Sequence, residues 1–276
     1  MNTIFICKIQ GKWNFINTAG EYLFDQWFDD LEDFFDGFAK VELNDKGWNF
    51  INKDGKLISE QWFDDVESFK NGFSRVYLDG KGLNFINTEG KLISEQWFDD
   101  VYDFYNGFAV VRLNDKGWNF INTAGKLISD QWFDVVDNFS NGFAKVKLKS
   151  KFNFINTKGE YFSNQWFDYI WESQGDFVKV ELSNKYNFLN TNGQLISDRW
   201  FDMVWNFKNG FAMVLLNDKG WNFINTAGEY LTDQWFDWVG NFSNGFAKVK
   251  LKGKYNYINT AGKLISDQWF DVICRE

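Results

Sequence analysis

One short phrase, Asn-Phe-Ile-Asn, recurs eight times along the chain, starting at Asn14, Asn49, Asn84, Asn119, Asn153, Asn187, Asn222 and Asn256. The sixth copy carries Leu189 in place of Ile, and the eighth carries Tyr257 in place of Phe. The copies stand 34 or 35 residues apart in a chain of 276. A unit this short cannot bury an apolar face alone, so successive units must stack and share a core. Residues 1–276 are therefore read as a single repeat domain of eight units. A second anchor, Gln-Trp-Phe-Asp, places a Trp at 27, 62, 97, 132, 166, 200, 235 and 269, with Arg199 replacing Gln once. A third, Phe-x-Asn-Gly-Phe-Ala, joins one copy to the next, as from Phe139 to Ala144 and from Phe242 to Ala247; the fifth link, Ser173-Gln174-Gly175-Asp176, is degenerate.

Each unit reads as four short strands. Segment A, such as Ala144–Leu148, alternates small or apolar residues with charged ones, the period of a strand with one face inward. The turn Asn114-Asp115-Lys116-Gly117 supplies residues that tolerate positive φ. Segment B is Trp118–Asn122, and a glycine turn follows it in every copy, as at Gly125. Segment C is Lys126–Ser129 and segment D is Trp132–Val136. No stretch holds an apolar stripe at helical spacing, and evenly spaced short strands mean an all-β fold. Eight four-stranded units could close into a propeller-like ring or run as an open β-solenoid or superhelix. The chain opens on a segment A (Ile4–Ile9) and stops after a segment D, with no atypical capping copy. That arrangement favours the ring, the open superhelix remaining the alternative.

The segments Gly142-Phe143-Ala144-Lys145-Val146, Gly117-Trp118-Asn119-Phe120-Ile121-Asn122 and Gly125-Lys126 resemble the WG (KWG) repeat family of bacterial and phage proteins. The resemblance covers essentially the whole chain. It departs at the name-giving glycine, since Asn follows the Trp here. The family implies a binding or structural repeat protein and no single activity.

Composition narrows the function classes. Histidine is absent, which removes His-based acid/base catalysis, Ser-His-Asp and Cys-His pairs, and His metal sites. No cofactor motif is present. The net charge of −9 opposes a broad phosphate-binding surface, so no nucleic-acid partner is expected. No apolar run reaches the length of a membrane span, and the N-terminus lacks the pattern of a secretory signal. With only two cysteines, Cys7 and Cys274, a reducing, cytoplasmic setting is expected, with two free buried thiols rather than a disulfide sealing a ring.

Positions identical in all copies serve the packing common to all. The eight repeated Trp are expected to fill space between units, and the Asp that follows each pair (Asp29 through Asp271) to accept backbone N–H groups at a junction. The fixed Asn of segment B is expected to be hydrogen-bonded within the array. Function belongs where copies differ. The residue after the fixed Asp runs Asp30, Asp65, Asp100, Val135, Tyr169, Met203, Trp238, Val272. Two residues on, it runs Glu32, Glu67, Tyr102, Asp137, Trp171, Trp205, Gly240, Cys274. Strand alternation puts both on one face, acidic in copies one to three and aromatic in copies five to seven. In copy seven the usual charged pair of segment A becomes Met213 and Leu215. Tyr169, Trp171, Met203, Trp205, Met213, Leu215 and Trp238 are thus the candidate partner-binding residues. The leading expectation is a non-enzymatic scaffold that engages a protein partner. The alternative is a multivalent carbohydrate-binding module using the repeated Trp, which requires those rings exposed in equivalent pockets. An enzyme would need an unrepeated reactive cluster, and none is seen. Anion capture by segment-A lysines is opposed by Val110 and Met213, which interrupt the basic series.

Overall fold

The computed structural model describes residues 3–173 and 175–274. Gln174, inside the degenerate link, lies outside them. The described residues contain strands, bridges and turns and no helix. They divide into two compact units, residues 1–146 with 156–159, and residues 147–155 with 160–276.

The first unit opens with a two-stranded antiparallel sheet, β1 (Ile4–Ile9) and β2 (Lys12–Asn17). Three three-stranded antiparallel sheets follow. They are β3 (Asp30–Leu31), β4 (Phe38–Leu43) and β5 (Gly47–Asn52); β6 (Asp65–Val66), β7 (Phe73–Leu78) and β8 (Gly82–Asn87); β9 (Asp100–Val101), β10 (Phe108–Leu113) and β11 (Gly117–Asn122). Next along the chain come β12 (Val135–Val136), β13 (Phe143–Leu148) and β14 (Lys151–Asn156). The second unit holds three more such sheets. They are β15 (Tyr169–Ile170), β16 (Val178–Leu182) and β17 (Lys185–Leu189); β18 (Met203–Val204), β19 (Phe211–Leu216) and β20 (Gly220–Asn225); β21 (Trp238–Val239), β22 (Phe246–Leu251) and β23 (Lys254–Asn259).

Segments A and B form the hairpins expected of them. Segment D is shorter than expected, two ladder residues that pair with segment A of the next copy, as Asp30 with Glu42 and Leu31 with Val41. Segment C corrects the four-strand reading. It meets segment B at single bridges only, such as Ile121 with Leu127, and segment D meets segment B likewise at Trp118 with Phe133. The reason is the fixed Asn. Asn119 is fully buried, and its Nδ2 donates to the carbonyls of Ser129 (2.8 Å) and Gln131 (3.2 Å). Its Oδ1 accepts the Phe120 N–H at 2.8 Å. Those two carbonyls are satisfied by a side chain instead of a neighbouring strand, so the chain bends where a fourth strand would run. The same pattern recurs at Asn14, Asn49, Asn84, Asn153, Asn187, Asn222 and Asn256, every one fully buried.

Turns between copies use Asn-Gly at positive φ, as at Asn71 (53°) and Gly72 (84°), the signature of a two-residue hairpin. The glycine after segment B has a second reason to be glycine. At Gly90 (φ +75°) a Cβ would sit 1.7 Å from the carbonyl oxygen of Ile58 in the preceding copy.

The cores lie between consecutive copies. One cluster joins Phe15, Phe28 and Leu31 of copy one to Ala39, Val41 and Ile51 of copy two, with Trp62 packed against it. The second unit repeats this with Phe188, Phe201 and Val204 against Ala212, Val214 and Ile224, and Trp235 packed on them. No helix of the described residues is long and apolar enough to cross a membrane.

Candidate interaction face

The repeated residues first show what they do. All eight Trp of the Gln-Trp-Phe-Asp anchor are half-buried. Trp62, Trp97, Trp132, Trp200, Trp235 and Trp269 each pack against the core of the junction before them. Lys ammonium groups lie over Trp62, Trp97, Trp132 and Trp235 at 5.8, 5.7, 6.0 and 5.7 Å from the ring centroid. Tyr rings meet Trp27, Trp166 and Trp235 edge-on, at 5.1, 5.2 and 5.2 Å. These tyrosines, Tyr22, Tyr161 and Tyr230, were not anticipated as partners. Burial pushes the phenols of Tyr161 and Tyr230 above their ordinary pKa, with Arg199 opposing at Tyr230.

The Asp of the same anchor accepts a backbone N–H from the next A–B turn. Examples are Asn114 to Asp99 (2.7 Å), Ser183 to Asp168 (2.7 Å) and Asn217 to Asp202 (2.9 Å). Asp29, Asp168 and Asp202 also pair with Lys12, Lys151 and Lys185. The lysine hydrogen bond first, then the backbone N–H, holds each carboxyl below the usual carboxylate range. These carboxylates are thus occupied structurally. Among the described residues, no group of three or more His, Cys, Asp or Glu side chains converges as a metal site would require.

The variable face is built by register. In the second unit Tyr169 pairs with Glu181, which pairs with Tyr186. Met203 pairs with Leu215, which pairs with Trp221. Trp238 pairs with Lys250, which pairs with Tyr255. Side chains directly opposite in antiparallel strands share a face. Tyr169, Met203, Trp205 and Trp238 are exposed by 44, 43, 54 and 46%. Trp171, Met213 and Leu215 are half-buried. None of the seven candidates is buried.

The structure brings some of them together. Tyr169 and Trp171 meet edge-on at 4.6 Å, and Trp171 reaches Tyr186 at 5.8 Å. Lys179 lies over both Trp171 (4.5 Å) and Tyr186 (4.7 Å). Burial among these rings pushes the Lys179 ammonium below its ordinary pKa, Glu181 opposing. The Trp205 backbone N–H donates to the Met213 carbonyl at 2.9 Å. Met213 itself leans on the core around Phe223 and Phe236, so it is partly a packing residue. Trp238 sits on its own sheet and lies across Gly240, where a Cβ would meet its ring edge at 3.0 Å. Tyr186 and Tyr255, on segment B, complete the face. The alternation that places segment D on it places them there too.

In the first unit the same face is charged but internally paired. Lys40 bridges Glu32 at 2.5 Å, and Arg75 bridges Glu67 at 2.5 Å and Asp103 at 3.2 Å. Aromatics stand on it as well: Trp48 under Lys40 at 5.8 Å, Tyr77 opposite Asp65, and Tyr102 against Trp118 at 5.6 Å with Arg112 above.

A model of the WG-containing repeat matches this chain at residues 11–46, 48–81, 85–116, 118–152, 188–219 and 221–255, well over half its length. The chain belongs to the WG-repeat family. No curated protein matches it. Solved structures similar to this WG-repeat chain include the computationally designed Ika8 protein, at 10% identity over 95% of this chain and 92% of that one, TM-score 0.30. Two others are BamB from Moraxella catarrhalis (9% identity, 95% and 84% covered, TM-score 0.29) and the WD40 beta propeller domain of Doa1 (11%, 82% and 90%, 0.26). Likeness at that level carries no functional argument.

Proposed function

We propose that this WG-repeat protein is a non-enzymatic scaffold that binds a protein partner through the aromatic face of copies five to seven. The observation that carries this reading is the exposure of Tyr169, Met203, Trp205 and Trp238, all from segment D, where copies one to three carry Asp or Glu except at Tyr102. Large apolar side chains repeatedly exposed on one strand face cost solubility unless a partner covers them. Trp and Tyr on such a face are the side chains that most often dominate a protein interface, and Met adapts to irregular surfaces. Sugar stacking on the eight repeated Trp is less well supported, because their rings are half-buried and several already lie under Lys.

The test is affinity capture from cells of the source organism with three full-length baits: wild type, W205E/W238E, and a control carrying E32Q/Y102E on the first unit's face. A partner that uses the aromatic face is retained by wild type and control. Its affinity for W205E/W238E falls on the order of 30-fold, as expected for loss of about 2 kcal/mol or more at an interface anchor. Equal capture by all three baits refutes the assignment of the face.

A further inference from the structure

The residue three places after the fixed Asp and a residue of the next segment A form one structural pair that recurs along the chain. The register that sets Asp30 opposite Glu42 and Leu31 opposite Val41 continues to Glu32 and Lys40. In each of the seven pairs, from Glu32 with Lys40 to Gly240 with Lys248, the backbone N–H of the first residue donates to the carbonyl of the second, at 2.8 to 3.1 Å. Side chains so placed are neighbours on the variable face.

Comparison of these pairs isolates two lysines. Glu32 with Lys40 and Glu67 with Arg75 are ion pairs, each at 2.5 Å, and Asp137 with Lys145 repeats the charge pattern. Two pairs have lost both charges together, Tyr102 with Val110 and Trp205 with Met213. That is the expected course where a half-buried charge without a partner is unfavourable. The other two have lost the carboxylate and kept the cation: Trp171 stands with Lys179, and Gly240 with Lys248. Both lysines are half-buried, and among the described residues neither forms an ion pair. Aromatic rings attend them instead. Lys179 lies over Trp171 and Tyr186, and burial there disfavours its ammonium. Lys248 lies 4.5 Å from the centroid of Tyr255, and Lys250, which also lacks an ion pair, lies 5.4 Å from the same ring. A ring face attracts a cation without neutralising it. At Gly240 the side chain that would bring the carboxylate is missing, and the Trp238 ring edge takes part of its place. The uncharged pair of Trp205 and Met213 falls between the two lysines in chain order, on the sheet β18–β20. The second unit thus presents cation, apolar centre and cation on three consecutive sheets.

We infer that the partner binds through an acidic segment of its chain, with an apolar side chain over Met203 and Trp205 and an Asp or Glu at each of Lys179 and Lys248. The inference rests on the aromatic face being the interface, and names what the partner must carry. The internal pairs specify the chemistry. Lys40 and Arg75 take a carboxylate from a protein side chain, Glu32 or Glu67, at this position. The lysines that have lost that group offer the same place to a carboxylate from another chain. A buried or half-buried ammonium gains most from such a partner, because burial weakens its hydration and strengthens the attraction. The rest of the surface adds selectivity. A chain of net charge −9 repels an acidic segment in general, so binding is confined to the face where cations stand unmatched.

The experiment selects a random displayed peptide library on the full chain in reducing buffer. Reductant is needed because both cysteines are free, Cys274 exposed and Cys7 half-buried, which corrects the expectation that both thiols are buried. Four baits are compared: wild type, K179M/K248M, W205E/W238E and K40M. Copy seven already carries Met213 at this position, so K179M/K248M is expected to fold, as circular dichroism checks. Peptides selected by wild type are expected to place Asp and Glu around an aromatic residue or Leu and to bind K40M equally. They are expected to bind K179M/K248M at least about 10-fold more weakly, a gap that narrows in high salt. Peptides that need Trp205 and Trp238 but show no excess of Asp and Glu, or that bind K179M/K248M as well as wild type, overturn the inference and leave the face assignment standing. Selection that is the same on W205E/W238E as on wild type overturns both. A single-stranded oligothymidine that binds wild type more tightly than any selected peptide, and is lost in K179M/K248M, gives the lysines to nucleic acid and overturns the inference as well.

Discussion

Replacing Asn119 by Ala tests the account of why each copy bends after segment B. The side chain is fully buried and makes three hydrogen bonds, to the carbonyls of Ser129 and Gln131 and from the N–H of Phe120. A buried hydrogen bond contributes about 1 kcal/mol net, and a buried group left unpaired costs about 1–3 kcal/mol. Truncation strands two carbonyls and one N–H beside the core, so a loss of about 3–5 kcal/mol is expected, roughly two to three and a half powers of ten in the local opening equilibrium. Repeat arrays need not unfold in one step, so the assay is native-state hydrogen exchange of the copy-four amides, supported by urea unfolding followed by Trp fluorescence. The exchange free energy of amides in 117–133 is expected to fall by that amount, with copies six to eight little changed. Asn119→Asp sharpens the test. It keeps an acceptor for Phe120 but turns an oxygen toward two carbonyls, so its carboxyl should remain protonated in the folded state. A group with a raised folded pKa stabilises below its unfolded value, near 3.9, and loses that contribution as pH rises. The Asp variant should therefore be closer to wild type at pH 4 than at pH 7. A loss below about 1 kcal/mol for Asn119→Ala, or no pH dependence for Asn119→Asp, would refute the role given to this side chain.

Two further predictions use contrasts inside the chain. Gly90→Ala meets the Ile58 carbonyl at 1.7 Å, whereas Gly107→Ala has the same sign of φ (+85°) with nothing within 4 Å. By urea midpoint, the first should cost about 3 kcal/mol or more and the second about 1 kcal/mol, the cost of the backbone conformation alone. The carboxyl of Asp202, held low by Lys185 and the Asn217 N–H, should titrate below the usual Asp value by NMR and move up in Lys185→Met. Its contribution to stability is present above the unfolded pKa and is lost as pH falls through the folded one, so removing Lys185 should flatten the acid limb of the stability curve.

The residues that repeat were legible for what they do. The Asn of segment B was expected to be hydrogen-bonded within the array, and all eight are; the Asp of the Trp-Phe-Asp anchor and the repeated Trp were expected to serve junctions, as Asp99, Asp168 and Asp202 do through backbone N–H groups and six of the eight Trp do through packing. Segment C was misread because its alternation, Lys-Leu-Ile-Ser, is that of a strand. The pattern cannot show that Ser129 and Gln131 give their carbonyls to a side chain ten and twelve residues away. The candidate face was half legible. Period-two alternation put Tyr169, Trp171, Met203 and Trp205 on one side, but stopping at segments A and D left out Tyr186 and Tyr255. Met213 reads as exposed by analogy with the lysines it replaces, yet leans on a core.

The amino-acid order by itself determined the unit, its two long strands, its turns and the identity of the junction residues. Each of these follows from local periodicity or from a residue's own backbone preference, and eight internal copies make both readable. Tertiary structure alone decided the rest: the two-residue length of segment D, which Trp lie under Lys, and how far each candidate side chain is exposed. Those depend on groups brought together from different copies. Burial at one position is set by a neighbour some 35 residues away, and nothing in the local pattern states how closely that neighbour approaches.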